Sequence, residues 1–272
     1  MAGINRYVPK DTYAVVAGYR GDELVAVIAG AVIEDDDRLR LRFPKANPFA
    51  VGQKVTIHLD DRTGVEEFTP EIKVHRCSYK GRVLAADGTA AEIGPEEFVL
   101  RYSSRTLLDF KASGYAFPED GRTDVPIGAT VLSAAEAPNP DEQENKLGVW
   151  ITRAKERPHT TVMAFLSSKK DDIFLISHRG TFKSQLIHRD PRCLFAIDHR
   201  STYRFEKAID WNYSIIRGTA AAIPRGTTLF DAVQNLFIEK NPWELMFFSD
   251  PKVEMFHIVP EEILCPEKYA GH

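Results

Sequence analysis

The chain is poor in cysteine. Cys77, Cys193 and Cys265 stand far apart among 272 residues and form no C-x-x-C pair. That spacing excludes a zinc ribbon and a disulfide framework, and the odd count fits a reducing compartment. No apolar run reaches the roughly 20 residues that a membrane-spanning helix needs. The opening stretch "MAGINRYVPKDTYAVV" lacks the apolar core of a signal peptide. The expectation is therefore a cytoplasmic protein without membrane insertion. An excess of positive charge is also missing. The net charge of −4 gives no whole-chain attraction to nucleic acid, which is not expected as a partner. No internal repeat, low-complexity tract, carboxylate pair or Ser–His–Asp order stands out. Glu206 and Asp210 in "FEKAIDWNY" read as a solvated turn.

What the chain does have is β periodicity. Hydrophobic residues make up 43% and charged residues 27%, enough apolar material for two cores. "RLRLRF" alternates strictly, with Leu39, Leu41 and Phe43 opposite Arg38, Arg40 and Arg42, the period of a half-buried strand. "ELVAVIAGAVI", "QKVTIHLDD", "EIKVHRCSYKGRVLAA" and "EEFVLRYSS" continue the pattern between turns such as "DDRTG" and "ADG". About six short strands before residue 102 predict a small antiparallel barrel or sandwich. "SRTLLDFKASG" reads as a short helix ended by Gly114. Residues 115–147 are rich in Pro, Asp, Glu and Asn and read as a linker. The domains are thus 1–114, the linker, and 148–272.

The second half has its own rhythm. "GVWITR", "HTTVMAFLSS", "DIFLISH", "RCLFAID", "YSIIRGTAAAIP" and "KVEMFHIVPEEI" read as strands. "TFKSQLIHR" reads as a short helix with Phe182, Leu186 and Ile187 on one face. "TTLFDAVQNLFIEK" is a longer helix, with Thr228 as N-cap and one stripe of Leu229, Phe230, Val233, Leu236 and Phe237. The chain as a whole is mainly β, with few and mostly short helices.

The stretch "ISHRGTFKSQLIHRDPRCLFAID" sets donors between two apolar strands. Lys183 falls in the first turn of the short helix that starts near Thr181. Helix N-termini carry unpaired N–H groups and the positive dipole end, which attract phosphate. Ser177, His178 and Arg179 end the preceding strand and point the same way. Either these groups cradle an anion or they are a solvated helix face.

The order of these segments resembles the FMN-binding split β-barrel family, which includes pyridoxamine 5′-phosphate oxidase and flavin reductase-like relatives. Four stretches between 148 and about 264 carry the resemblance: "ERPHTTVMAF", "DIFLISHRGTFKSQLIHRDPRCLFAID", "YSIIRGTAAAI" and "VEMFHIVPEEI". It implies a C-terminal split β-barrel that binds FMN. Lys183, Ser177, His178 and Thr181 would hold the phosphate, and Gln185 would help or face solvent. His159, Thr160, Thr161 and Val162 would run under the isoalloxazine ring. A homodimer with the flavin between subunits is implied, with Trp211, Tyr213 or Trp243 approaching the ring from the partner chain. NADH or NADPH would be the electron source. The tail "ILCPEKYAGH" carries no arginine, which argues against pyridoxamine phosphate oxidase activity itself. Some branches bind haem instead, for which His178, His188, His199 and His257 are candidate axial ligands.

The first domain resembles PilZ-type small barrels through "LRLRFPKANPFAVGQKVTIHLDD", but the R-x-x-x-R and D-x-S-x-x-G ligand signatures are missing. It reads as a regulatory or partner-binding module. Two functions follow. One is a flavin-dependent oxidoreductase with an appended barrel. The other is a non-enzymatic flavin- or haem-binding sensor.

Overall fold

The computed structural model describes residues 3–61, 74–143, 145–198 and 213–264. The first half forms seven strands: β1 (Asp11–Arg20), β2 (Glu23–Ile33), β3 (Leu39–Arg42), β4 (Lys54–Asp60), β5 (His75–Ala86), β6 (Ala90–Tyr102) and β7 (Arg105–Lys111). Their order is β3-β2-β1-β4-β5-β6-β7, and β3 also pairs with β6. Six strands therefore close into a barrel, and β7 extends β6 outside it. Closure removes the unpaired edges that an open sheet would present. Leu39, Leu41 and Phe43 enter the barrel core as their alternation predicts. Arg38 and Arg40 lie outside, paired with Asp36, Glu92 and Glu34.

Residues Arg105–Lys111 are a strand, not the helix expected from the sequence. Pairing with β6 decides it, since Leu108 sits opposite Leu100 and Phe110 stacks on Phe98 at 5.0 Å. Local propensity yields to such cross-strand packing.

The second half contains β8 (Leu147–Thr152), β9 (His159–Ala164), β10 (Leu166–Ser167), β11 (Ile173–His178), α1 (Phe182–Arg189), β12 (Arg192–Asp198), β13 (Tyr213–Ile223), α2 (Thr228–Lys240), α3 (Leu245–Phe248) and β14 (Val253–Leu264). The strand order is β10-β11-β14-β13-β12-β8-β9. The edge strands β9 and β10 are separated in sequence by Phe165 alone, so the two edges meet there and part beyond it. The sheet is a split β-barrel. At the β13 bulge, an added Cβ on Gly218 would collide with the Val259 carbonyl oxygen. Gly218→Ala is expected to destabilise by about 1–3 kcal/mol, as overpacking does, checked by urea unfolding.

α2 packs on the outside of this sheet, burying Leu229, Phe230, Val233 and Phe237 against Phe174, Ile176 and Met255. Its N-cap is Thr227, whose hydroxyl accepts from the Phe230 N–H at 3.1 Å. The sequence places the cap one residue late because two threonines precede the stripe. Residues 115–143 of the expected linker run along the second barrel. The Thr130 N–H donates to the Ala222 carbonyl, and the Val125 N–H to that of His188.

Several strands are apolar on both faces because they have two neighbours. In β1, Ala14 and Val16 face the first barrel's core, while Val15 and Ala17 face outward. The outward set joins Leu24, Ile28, Val149, Ile151, Leu194 and Ile215 in a cluster shared by the two barrels. Each Val, Leu or Ile side chain among them contributes roughly 1.5–3 kcal/mol on burial. Polar ties flank the cluster. Tyr19 Oη donates to the Ala154 carbonyl at 2.6 Å, and Thr56 Oγ1 donates to that of Pro158 at 2.6 Å. Arg153 bonds Asp22 at 2.8 Å, and Arg157 is paired with Glu96. The barrels are held as one block, so surfaces facing each other across their junction keep a fixed separation. Cys77 and Cys193 are both buried, and burial pushes the Cys193 thiol up to about 12. No helix among the described residues is long and apolar enough to cross a membrane.

Candidate functional site

A cavity of about 670 Å³ opens between the barrels. Pockets of roughly 300–1,000 Å³ suit a cofactor-sized ligand. Three segments of the second half line it: β9, the β11–α1 corner, and the stretch from Glu244 through α3 to Val253 at the start of β14. His159, Thr160, Thr161, Val162, Ser177, His178, Thr181 and Lys183 are all brought together here. Gln185 is not. It is exposed on the far side of α1, and its Nε2 donates to the Gly180 carbonyl at 3.0 Å.

The corner is built by local chemistry. Gly180 turns the chain with a φ of 90°, a left-handed conformation that glycine adopts at no steric cost. Thr181 caps α1, its hydroxyl accepting from the Ser184 N–H at 3.4 Å and lying 3.1 Å from Ser177 Oγ. On the buried side, Glu254 accepts from Ser184 Oγ at 2.7 Å and bonds His188 Nε2 at 3.0 Å. These bonds fix the helix start and leave Lys183 on the cavity side. Leu186 and Ile187 are buried as expected, but Phe182 is not a core residue. Its ring meets those of His159 at 5.0 Å and Phe117 at 5.6 Å, walling the cavity.

Lys183 has no hydrogen bond or carboxylate partner among the described residues. Burial, and then the charge of Arg76, hold its ammonium below the ordinary lysine range. His159 lies against Thr161 Oγ1 at 2.9 Å. Burial, with Lys80 and Lys183 adding to it, pushes its imidazole down to about 3, so it is neutral at physiological pH. His178 differs: a 2.7 Å bond to Asp250 raises its affinity for a proton.

Of the other candidate histidines, His257 is engaged at both nitrogens, by Thr130 and Asp172. His188 is held by Glu254. His199 and Trp211 lie outside the described residues, as does the side chain of Tyr213.

The sequence reading missed Glu244 and the first barrel's contribution. Burial pushes the Glu244 carboxyl up to about 7. Across the cavity stand His58, Arg76, Ser78, Lys80, Val99 and Arg101 from β4, β5 and β6. "HRCSYK" does alternate, with Cys77 and Tyr79 in the barrel core and Arg76, Ser78 and Lys80 outside. Nothing in the sequence says that this outer face looks onto another domain. The resemblance implied a second wall from a partner subunit; here the chain's own first barrel supplies one.

Two titrations have opposite signs. The unfolded chain protonates His159 near 6.5, while the folded chain resists until about 3. Its contribution is complete above 6.5 and is lost as pH falls through that window. Glu244 is raised from the ordinary 4.5 to about 7, so its contribution is complete below 4.5 and lost as pH rises to about 7. His159→Gln is expected to flatten the acid-side fall in Tm, and Glu244→Gln the fall approaching neutrality. Tm measured against pH checks both.

The second half forms a split β-barrel, and several solved structures are similar to part of this chain at low identity. One is the haem-storage protein HutZ from Vibrio cholerae, at 16% identity over 46% of this chain and 89% of that one, with a TM-score of 0.40. Another is a candidate pyridoxamine 5′-phosphate oxidase from Listeria innocua, at 18% identity over 46% and 92%, with a TM-score of 0.34. A third is an FAD-binding protein from Mycobacterium smegmatis, at 17% identity over 43% and 82%, with a TM-score of 0.29. At these scores the likenesses assign no cofactor to this chain and no residue a role. No family model and no curated protein sequence matches the chain.

Proposed function

We propose that the cavity binds FMN and that the protein is a flavin-dependent oxidoreductase. The observation that carries this is Lys183, a largely buried ammonium without a carboxylate partner among the described residues, at the edge of a cofactor-sized cavity. A buried charge is costly unless paired, and a phosphate is the partner that a helix start best receives. Thr181 and Ser177 supply hydroxyls beside it. Val162, Met163, Ala164, Ile176 and Phe182 offer the apolar wall that a ring system needs. The residues present therefore fit the group.

Lys183, Thr181 and Ser177 would hold the phosphate, with His178 at the mouth, and His159, Thr160, Thr161 and Val162 would lie along the ring. The bound flavin would supply electron transfer, with NADH or NADPH as donor. Neutral His159 can offer an N–H without adding charge beside Lys183. Glu244, poised near neutrality, can exchange a proton with a group in the cavity. Haem is the second reading. His159 favours it, because a neutral imidazole facing a cavity is a competent ligand. Titrating the purified protein with FMN, followed by flavin fluorescence, tests the main reading. Saturable quenching supports it, and none at micromolar protein removes it.

A further inference from the structure

We infer that the first barrel is half of the binding site: Arg76 and Arg101 close on the same phosphate-type anion as Lys183, gripping it from both barrels of one chain. This rests on the phosphate site proposed above and assigns the first domain a ligand-binding role.

Arg76 and Arg101 are direct cross-strand partners on β5 and β6. Like charges in that position repel and weaken a sheet unless something neutralises them. Both line the cavity on the face opposite the α1 corner. Arg76 is near enough to Lys183 for its charge to bear on that ammonium, and Arg101 acts on Arg76 in the same way. Three cations thus form a chain across the cavity.

Four neighbouring cations at the barrel junction have carboxylates. Arg153 has Asp190 and Asp22, Arg157 and Arg82 share Glu96, and Lys80 has Glu97 at 2.9 Å. Arg76, Arg101 and Lys183 have none among the described residues. Asp60, opposite Arg76 on β4, bonds His58, and the hydrogen bond of Arg76 goes to the Ser103 carbonyl, so among the described residues no carboxylate forms an ion pair with it. A guanidinium fork suits phosphate oxygens better than any other side chain does. Because the barrels are locked by their shared apolar cluster, the cations stay together at a cost that an anion of two or more charges offsets.

The ligand chemistry is a phosphate monoester or a diphosphate, which FMN, FAD and free pyrophosphate share. The test compares the full-length protein with Arg76→Gln/Arg101→Gln in titrations with FMN, FAD and riboflavin, and in thermal unfolding with inorganic pyrophosphate. Both side chains lie on the barrel's outer face, so the double variant should fold. Arg101→Gln alone, at an exposed position, is the safer companion. The expected results are a loss of at least tenfold in FMN affinity and little change for riboflavin. Pyrophosphate should raise the wild-type Tm more than the variant's, and Arg76→Lys/Arg101→Lys should recover much of the loss. FAD tighter than FMN would identify the anion as a diphosphate bridge. Undiminished FMN binding in the double variant would overturn the clamp and leave the flavin reading intact. Stabilisation by pyrophosphate that the variant loses, with no flavin bound, would uphold the clamp and overturn the flavin. Absence of both effects would overturn both.

Discussion

Lys183→Ala is expected to weaken FMN binding by an order of magnitude or more while leaving the fold in place. Lys183 makes no hydrogen bond within the described residues, so its removal breaks no internal network. A charge-assisted contact to phosphate contributes roughly 1.5–3 kcal/mol, which corresponds to about 10- to 150-fold in affinity. Riboflavin, which has no phosphate, should bind both proteins alike. Lys183→Arg should retain part of the affinity, since the charge stays but the geometry changes. Burial already works against this ammonium in the free protein, so the free variant should be no less stable than the wild type. Unchanged FMN affinity in Lys183→Ala would remove the phosphate assignment at the α1 corner.

The second large effect concerns the junction of the barrels. Arg157 is fully buried and paired with Glu96 across it. Two of its guanidinium nitrogens, Nε and Nη1, have no hydrogen-bond partner among the described residues. Its face lies over the Tyr115 ring at 5.4 Å. Glu96→Ala leaves that guanidinium buried and uncompensated, and is expected to cost about 3–5 kcal/mol. Arg157→Met removes the charge and keeps most of the volume, so it should cost considerably less. Urea unfolding of the two variants measures the contrast. A Glu96→Ala loss below about 1 kcal/mol, the range of an exposed ion pair, would show that this contact does not hold the barrels together.

The sequence and the structure agree where a residue's role is local. Strict alternation in "RLRLRF" placed Leu39, Leu41 and Phe43 correctly, because a two-residue period needs no knowledge of the neighbour. The start of α1 was legible because Gly180, Thr181 and the apolar pair Leu186–Ile187 sit close together in the chain. β7 was misread because its strand character comes from β6, not from its own residues. The apolar runs "ELVAVIAGAVI" and "GVWITR" read as strands, but nothing in them says which elements cover their two faces. For the same reason half of the candidate site was invisible. Arg76 and Arg101 stand in no motif, and only the packing of Val15, Ile28, Val149 and Leu194 turns their face toward Lys183. Glu244 gave no signal, since what raises its carboxyl is burial in the folded chain, against an opposing hydrogen bond from Trp243.

The most direct test of the central claim, a flavin phosphate held between the two barrels, is the visible absorption spectrum of the full-length protein after incubation with FMN or with riboflavin and removal of excess ligand. Flavin bands retained after FMN and lost after riboflavin are the expected result. A protein that stays colourless after both would contradict the claim, and a Soret band in the protein as purified would move the site to haem and to His159.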